Sequence, residues 1–342
     1  MIAVETEFPL LPAGLRASRP AERRGIRRDH VRLLVIDRET ETVHHSSFDR
    51  LGDVLRPGDL LVVNSSRVLP AGVRAVRASG QVIQLRPCVR RDGSWDALSV
   101  QAGPPFENIP LAEGETLRIG ETAVLVVGRR PDIPLLWRLR VEWACDLDLI
   151  LRHGEPIHYS YVPEPLPLDA YQTVYASKPG SAEAPSAGRP FTWELLSALR
   201  RQGVGLAEVV LHTGLSSFQD DDFDEEHHLF EEWFEVGPET ARAVNDAGRV
   251  VAVGTTVVRA LESAATWEGR VLPAQSWTRL AIGRERPPRA VGALLTGLHE
   301  PQASHFDLLR AFVREPLLRR AYAEAVEQGY LWHEFGDSAL II

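Results

Sequence analysis

Lysine is nearly absent from this chain: of its 38 basic residues, all but Lys178 are arginine. A codon bias toward arginine accounts for the ratio. The one surviving ammonium either is there by chance or marks a place where a compact, flexible charge does what a planar guanidinium cannot, and on the second reading Lys178 is a candidate substrate contact. Cysteine is equally scarce. Cys88 and Cys145 lie far apart with no metal-ligand spacing beside either, so neither a disulfide framework nor a zinc site is supported, and both are expected in the core. No apolar run approaches the roughly 18–20 residues of a membrane span. The first residues carry acids and prolines where a secretory signal would carry a basic start and an apolar stretch. Together these absences predict a cytoplasmic protein with no membrane partner. Repeats and low-complexity tracts are missing too. A net charge of −9 argues against a general polyanion binder and leaves room for a local basic patch.

What is present is enough chain, 342 residues, to bury one large core or two smaller ones. The stretch 31–36 reads as a strand, 48–55 as a helical turn, and Arg56-Pro57-Gly58-Asp59 as a turn leading into the buried strand 60–64. From 68 to about 143 the pattern becomes a series of short β-rich runs, at 72–77, 81–86, 95–100, 116–119, 123–127 and 136–142. Gly, Pro, Asp and Asn punctuate them, the signature of a small antiparallel barrel or sandwich. After 146 helix and strand alternate: helices at 191–202, 239–247, 257–265, 305–314 and 317–328, strands at 206–211 and 249–253. The grammar is α/β. It predicts a large discontinuous α/β domain, residues 1–66 plus 147–342, carrying an inserted small antiparallel β-barrel at 67–146.

Three segments carry candidate chemistry. In the first, the buried strand 250–253 runs through Gly254-Thr255-Thr256 into a helix. Unpaired N–H groups and a positive dipole end meet there, a place that welcomes an anion, although either threonine would also serve as a plain helix cap. Arg259 and Glu262 follow on one helix face, spaced to pair with each other. The second segment joins Tyr171-Gln172-Thr173-Val174-Tyr175 to Lys178-Pro179-Gly180-Ser181 and Ala184-Pro185-Ser186-Ala187-Gly188, a preorganised loop flanked by aromatics that suits binding better than linking. The third, Leu211-His212-Thr213-Gly214, sits at the end of a strand where open α/β sheets place ligands, although a lone histidine there is more often a structural residue than a catalyst. The acidic run Asp220 to Glu226 with His227, His228 and Glu232 matches no zinc spacing and reads as a solvated loop and helix start, so no metal is expected.

Taken in order, these pieces resemble the S-adenosylmethionine:tRNA ribosyltransferase-isomerases of queuosine synthesis. The resemblance is carried by Phe8-Pro9-Leu10-Leu11-Pro12, Pro57-Gly58-Asp59-Leu60-Leu61-Val62-Val63-Asn64 with Arg67, Tyr171 to Tyr175, Ala184 to Gly188, Val253 to Thr256 with Arg259, Leu261-Glu262-Ser263, and Phe335-Gly336-Asp337. It spans essentially the whole chain in matching order. The resemblance implies S-adenosylmethionine as co-substrate, a preQ1-bearing tRNA as acceptor, and no metal; the oligomeric state is open, with a monomer favoured. It further implies a base near the C5′ protons, an acid or hydrogen-bond donor for the departing adenine, and a clamp for the methionine carboxylate. His212, His227 and His299 are then candidate acid–base groups, with Glu232 orienting one of them. Asn64, Arg67, Tyr171, Tyr175, Lys178, Pro185, Gly188, Gly254, Thr255, Thr256 and Arg259 are candidate substrate contacts.

The chain also departs from the family pattern. Where the family has Pro-Thr-Ala-Gly-Leu-His-Phe, this sequence has Pro185-Ser186-Ala187-Gly188-Arg189-Pro190-Phe191, so a proline stands where a histidine is expected. Phe230 replaces a second histidine, and the loop after Gln219 ends in acid. Two other readings therefore stand beside the first: a paralogue that uses S-adenosylmethionine with a small-molecule acceptor or by elimination, and a binding protein that kept the scaffold.

Overall fold

The computed structural model describes residues 8, 9, 11–91, 93–141, 146–159, 161–215, 231–300 and 304–342. Along the chain, β1 (Arg32–Asp37) and β2 (Thr42–Ser47) form a hairpin, followed by β3 (Asp59–Asn64) and the short β4 (Ser66–Val68). Then come β5 (Gly72–Val76), β6 (Val82–Arg91), β7 (Ser94–Gln101), β8 (Thr116–Ile119), β9 (Thr122–Arg129) and β10 (Trp137–Val141), and after helix α1 (Asp146–His153) the two-residue β11 (Gly154–Glu155). The remainder holds β12 (Lys178–Ser181), α2 (Trp193–Arg201), β13 (Gly205–Leu211), β14 (Glu232–Val236), the helix Pro238–Asp246 (α3), β15 (Arg249–Val253), the helix Thr255–Ala264 (α4), β16 (Ala274–Thr278), β17 (Ala293–Gly297), the helices Ser304–Phe312 (α5) and Glu315–Glu327 (α6), and β18 (Ser338–Ile341).

Six strands close the barrel in the order β5-β6-β7-β10-β9-β8, with β8 returning to β5 through Val76 and Arg118. Alternation explains the closure. Strand β10 buries Trp137, Leu139 and Val141 and exposes Arg138 and Arg140, so one face fills the barrel and the other meets water. Strand β11, which lies beyond residue 146, adds to this sheet beside β5. Cys88 packs part-buried against the barrel core as expected, and burial raises its thiol; Cys145 lies outside the described residues.

The large sheet runs β16-β14-β13-β3-β15-β17-β18-β1-β2, parallel through β13, β3, β15 and β17. All six residues of β3 are buried, because both faces of the sheet are covered. Leu60 and Val62 face a core built with Val257, Val258 and Leu261 of α4, while Leu61 and Val63 face Leu195, Leu196 and Leu199 of α2. Helix α2 begins where Thr192 Oγ1 accepts the Leu195 N–H at 3.1 Å.

The mixed α/β class with an antiparallel barrel agrees with the sequence expectation. One expectation needs correcting. Glu232 does not belong to a helix start but opens β14, which pairs with both β13 and β16. A strand held by two neighbours outweighs the weak helical preference of a short acidic stretch.

Arg130, in the turn between β9 and β10, ties the barrel to the large sheet. Its buried guanidinium reaches Asp96 at 3.0 Å, Asp132 at 2.8 Å and Glu231, beside β14, at 2.6 Å; Arg279 adds a contact to Glu231 at 2.9 Å. Among the described residues no helix is long and apolar enough to cross a membrane.

Candidate active site

Strands β3 and β15 are parallel neighbours, and the chain leaves the first for β4 and the barrel and the second for α4. Adjacent parallel strands whose continuations diverge open a crevice beyond their carboxyl ends, where α/β sheets bind ligands. Asn64 ends β3 and Gly254 follows β15 at that place. Gly254 has φ 92° and ψ 155°, a backbone region that only glycine occupies without strain. Its N–H donates to Leu295 O at 2.7 Å. Neither threonine caps α4; Gly254 holds the cap position, and Thr255 and Thr256 are the first two helical residues. Their N–H groups find no acceptor among the described residues, which leaves the positive end of a ten-residue helix open toward the crevice.

Asn64 is only 2% exposed, and its amide is fully engaged. Its Oδ1 accepts from the N–H groups of Ser66 at 3.1 Å and Leu211 at 3.0 Å, while Nδ2 donates to Leu211 O at 2.9 Å and to Thr256 Oγ1 at 3.3 Å. The side chain therefore fastens the ends of β3 and β13 to the first turn of α4. That use leaves it no free group to offer a substrate.

His212 follows directly on β13. Its Nδ1 lies 2.8 Å from Ser66 Oγ, which in turn lies 2.6 Å from Ser181 Oγ. The ring stacks on Trp233 at 5.1 Å between centroids, and Gly180 covers its other side: a Cβ on Gly180 would stand 2.3 Å from the ring. Burial, and then the nearby Arg90 charge, lowers His212 to about 4. It is neutral near pH 7, a good hydrogen-bonding partner and a weak base. Ser66 and Trp233 gave no signal in the sequence, and Ser181 stood only as part of the binding loop, since buried serines look like loop serines until the fold brings them to a histidine.

Arg259 does not pair with Glu262. Its Nη1 meets Glu232 Oε2, its Nε donates to Leu280 O at 3.0 Å, and its Nη2 is buried with no hydrogen-bond partner. Glu262 instead accepts the N–H groups of Arg289, Ala290 and Val291 at 2.9, 2.9 and 3.2 Å. Glu232 also accepts the Gly214 N–H at 3.0 Å, and among the described residues it bonds to no histidine. It orients Arg259 and the loop after His212.

The binding loop lies against this edge. Ala187 is the residue a Cβ on Gly254 would meet, at 3.4 Å, and Thr213 Oγ1 donates to Glu183 O at 2.6 Å. Gly188 is required by Tyr175, whose hydroxyl stands 1.8 Å from where a Cβ would be. Pro185 opens the short turn Ser186–Gly188. Arg189 clamps the loop, donating to Ala170 O at 2.7 Å and to Glu22 at 2.8 Å. Tyr171 is buried against Phe335, with ring centroids 5.5 Å apart. Lys178 and Arg67 are exposed on the parallel pair β12 and β4. His299, two residues past β17, has Nε2 2.9 Å from Thr296 Oγ1. His227 and Phe230 lie outside the described residues.

The profile of the family described as "Queuosine biosynthesis protein" matches residues 7–341. The chain belongs to that family. Among its relatives, the S-adenosylmethionine:tRNA ribosyltransferase-isomerase of Rubrobacter xylanophilus is 39% identical over 97% of this chain and 95% of its own length. That of Moorella thermoacetica is 36% identical over 97% of each chain. The crystal structure of S-adenosylmethionine tRNA ribosyltransferase from Thermotoga maritima is similar at 31% identity, with a TM-score of 0.53 over 98% of this chain and 99% of that one.

Proposed function

We propose that the protein transfers the ribosyl part of S-adenosylmethionine to the aminomethyl-deazaguanine (preQ1) base of a tRNA and isomerises it to an epoxycyclopentanediol, releasing adenine and methionine. The observation that carries this is the match to enzymes of that name over nearly the full chain; beside it, Asn64 bonds to Thr256 in the first turn of the helix that also carries Arg259. The free N–H groups of Thr255 and Thr256 and the unpartnered Nη2 of Arg259 suit an anionic or hydroxyl-bearing donor, the carboxylate and ribose of S-adenosylmethionine. His212, held neutral, acts as a hydrogen-bonding group at the reacting end, with His299 and His227 as further proton carriers. Lys178 and Arg67, both exposed beside the crevice, meet the tRNA backbone. The protein works as a cytoplasmic monomer, with residues 1–66 plus 147–342 as its catalytic domain and 67–146 as its barrel.

The test is incubation with S-adenosylmethionine alone and then with preQ1-bearing tRNA, scoring free adenine and the mass of the RNA. Adenine and a heavier tRNA are expected only when both substrates are present. Adenine without RNA would establish elimination instead, and no adenine in either arm would sink the proposal. Arg259→Lys keeps a positive charge near Glu232 but removes the second guanidinium nitrogen. It is expected to weaken S-adenosylmethionine binding about ten- to a hundredfold in calorimetry, the range of one charge-assisted hydrogen bond. An unchanged dissociation constant would make Arg259 purely structural.

A further inference from the structure

A second crevice adjoins the Gly254 turn and contains a carboxyl group that the site described above does not use. It is lined by Ala187, Pro190, Gly297, His333, Glu334 and Phe335, among others, and so shares Ala187 with the turn and Gly297 with the strand next to β15. Glu334 Oε2 is shielded from solvent and meets no hydrogen-bond donor among the described residues. The loop that presents it is pinned. Asp337 accepts the N–H groups of Leu331 at 2.7 Å and Arg32 at 2.8 Å, the Asp337 N–H donates to Leu331 O at 2.7 Å, and the Gly336 N–H donates to His333 O at 2.9 Å. His333 takes a left-handed backbone, φ 71°, immediately before Glu334. Non-glycine residues are held there only where the surroundings enforce it, and such positions cluster at functional sites.

Burial with one carboxyl oxygen left without a donor favours the protonated form, against a backbone hydrogen bond that favours the ionised one. The positive groups that face it have other contacts. Arg189 donates to Glu22 and to Ala170 O, Arg24 Nη2 donates to Phe335 O at 2.9 Å while its Nε has no partner among the described residues, and His333 Nε2 lies 3.1 Å from Glu300, which also holds Arg16. Asp337 and the buried Tyr159, whose hydroxyl burial raises above its ordinary range, add no positive charge. Burial accordingly pushes Glu334 up to about 7. Pro190, at the position where the family pattern has a histidine, lines the same crevice and cannot carry a proton.

We infer that Glu334 is the general acid for the departing adenine, supplied from the loop before β18 in a chain whose binding loop lacks the histidine. The inference rests on the ribosyl-transfer reading. In the step, the C1′–N9 electron pair leaves with the base while the ribosyl ring oxygen donates a lone pair to C1′, leaving an oxocarbenium; the Glu334 O–H bond breaks and its proton forms an N–H bond on the purine, so adenine departs neutral and Glu334 remains as carboxylate. A separate base removes the C5′ proton; one proton leaves carbon and one arrives on nitrogen, and solvent exchange resets both groups.

The experiment measures adenine release by the full chain with S-adenosylmethionine and preQ1-bearing tRNA across pH 5.5–9, for the natural protein, Glu334→Gln and Glu334→Ala. The natural enzyme is expected to lose kcat as pH rises through about 7. Glu334→Gln should fall at least a hundredfold in kcat, the lower range for loss of a general acid, with KM for S-adenosylmethionine within about threefold. Its remaining rate should no longer show that pH limb, and formate should partly restore Glu334→Ala. Wild-type-like kcat and pH profile in Glu334→Gln would overturn the role of Glu334 alone. A natural protein that releases no adenine would overturn the reaction reading and this inference with it. Should Glu334→Gln misfold, the pH profile of the natural enzyme and its carboxyl C=O infrared band still decide: a group fully ionised at pH 6 is not the acid.

Discussion

Arg130→Ala is expected to lower the free energy of unfolding by about 3–5 kcal/mol, the range seen when one partner of a buried ionic cluster is removed. Arg130 is only 5% exposed in its side chain and serves Asp96, Asp132 and Glu231 at once. Removing it leaves Asp96 and Glu231, themselves 13% and 23% exposed, facing each other without their main counter-charge. The cluster joins barrel residues to one beside β14, so the loss should also uncouple the two bodies. Urea unfolding followed by tryptophan fluorescence should shift from one transition to two. A midpoint moved by the equivalent of less than about 1 kcal/mol would show the cluster to be no stronger than an ordinary surface pair.

The same cluster sets an acid limit. Burial, the largest single influence, would raise the Glu231 carboxyl, but hydrogen bonds to Arg130, to the backbone and to Arg279, with the Arg130 charge, together outweigh it and hold the group at about 2. Hydrogen bonding to Arg130 likewise holds Asp132 below the ordinary carboxylate range. Carboxylates lowered in this way stabilise the fold above their unfolded value, near 4.5 for Glu231, and that contribution is lost as pH falls from there toward 2. Between those values the natural protein should lose stability more steeply than Arg130→Ala.

Asn64→Asp changes almost no volume, yet its expected cost at pH 7 is about 4 kcal/mol. The new oxygen would replace Nδ2 and stand against Leu211 O, now 2.9 Å from a donor, in a side chain that is 2% exposed. The variant avoids the repulsion by taking up a proton and donating it to Leu211 O as the amide does. Holding that proton at pH 7, against an unfolded carboxyl near 4, accounts for the figure. A carboxyl raised on folding costs nothing below its unfolded value and progressively more above it, so the deficit should shrink toward zero near pH 4. Thermal unfolding of the variant and the natural protein at pH 4, 5.5 and 7 checks this. A deficit that does not vary with pH would show that the Leu211 contact is not what Asn64 supplies.

The parts of the fold written in short-range pattern were legible. Strand β3 announced itself as an unbroken apolar run, β15 and α4 as a strand and helix joined by a glycine, and the barrel as alternation broken by turn residues. Strands β14, β17 and β18 were not, because each is short and owes its conformation to neighbours distant in sequence: β18 lies between β17 and β1. The candidate site divides in the same way. The Gly254-Thr255-Thr256 turn could be found from sequence because its geometry is local. The partner of Arg259 could not, since helix spacing favours Glu262 three residues on, whereas the fold sends the guanidinium to Glu232 on another strand. Glu334 was passed over for a related reason. In the sequence it is one acid between a histidine and a phenylalanine, and only the packing of a loop from far along the chain against Pro190 reveals a buried carboxyl oxygen with no donor among the described residues.

The pairing of β1 with β18 also governs when the large sheet can be completed during synthesis. The Arg32 N–H donates to Asp337, a residue made 305 positions later. At about 5–20 residues per second, β1 leaves the ribosome some tens of seconds before its partner does. The barrel, whose strands lie close together in sequence, has time to close first. Until β18 arrives, β1 and β17 wait with open edges, a state that invites strand exchange between nascent chains. The loop carrying Glu334 immediately precedes β18, so the last strand to dock would also be the one that completes the crevice.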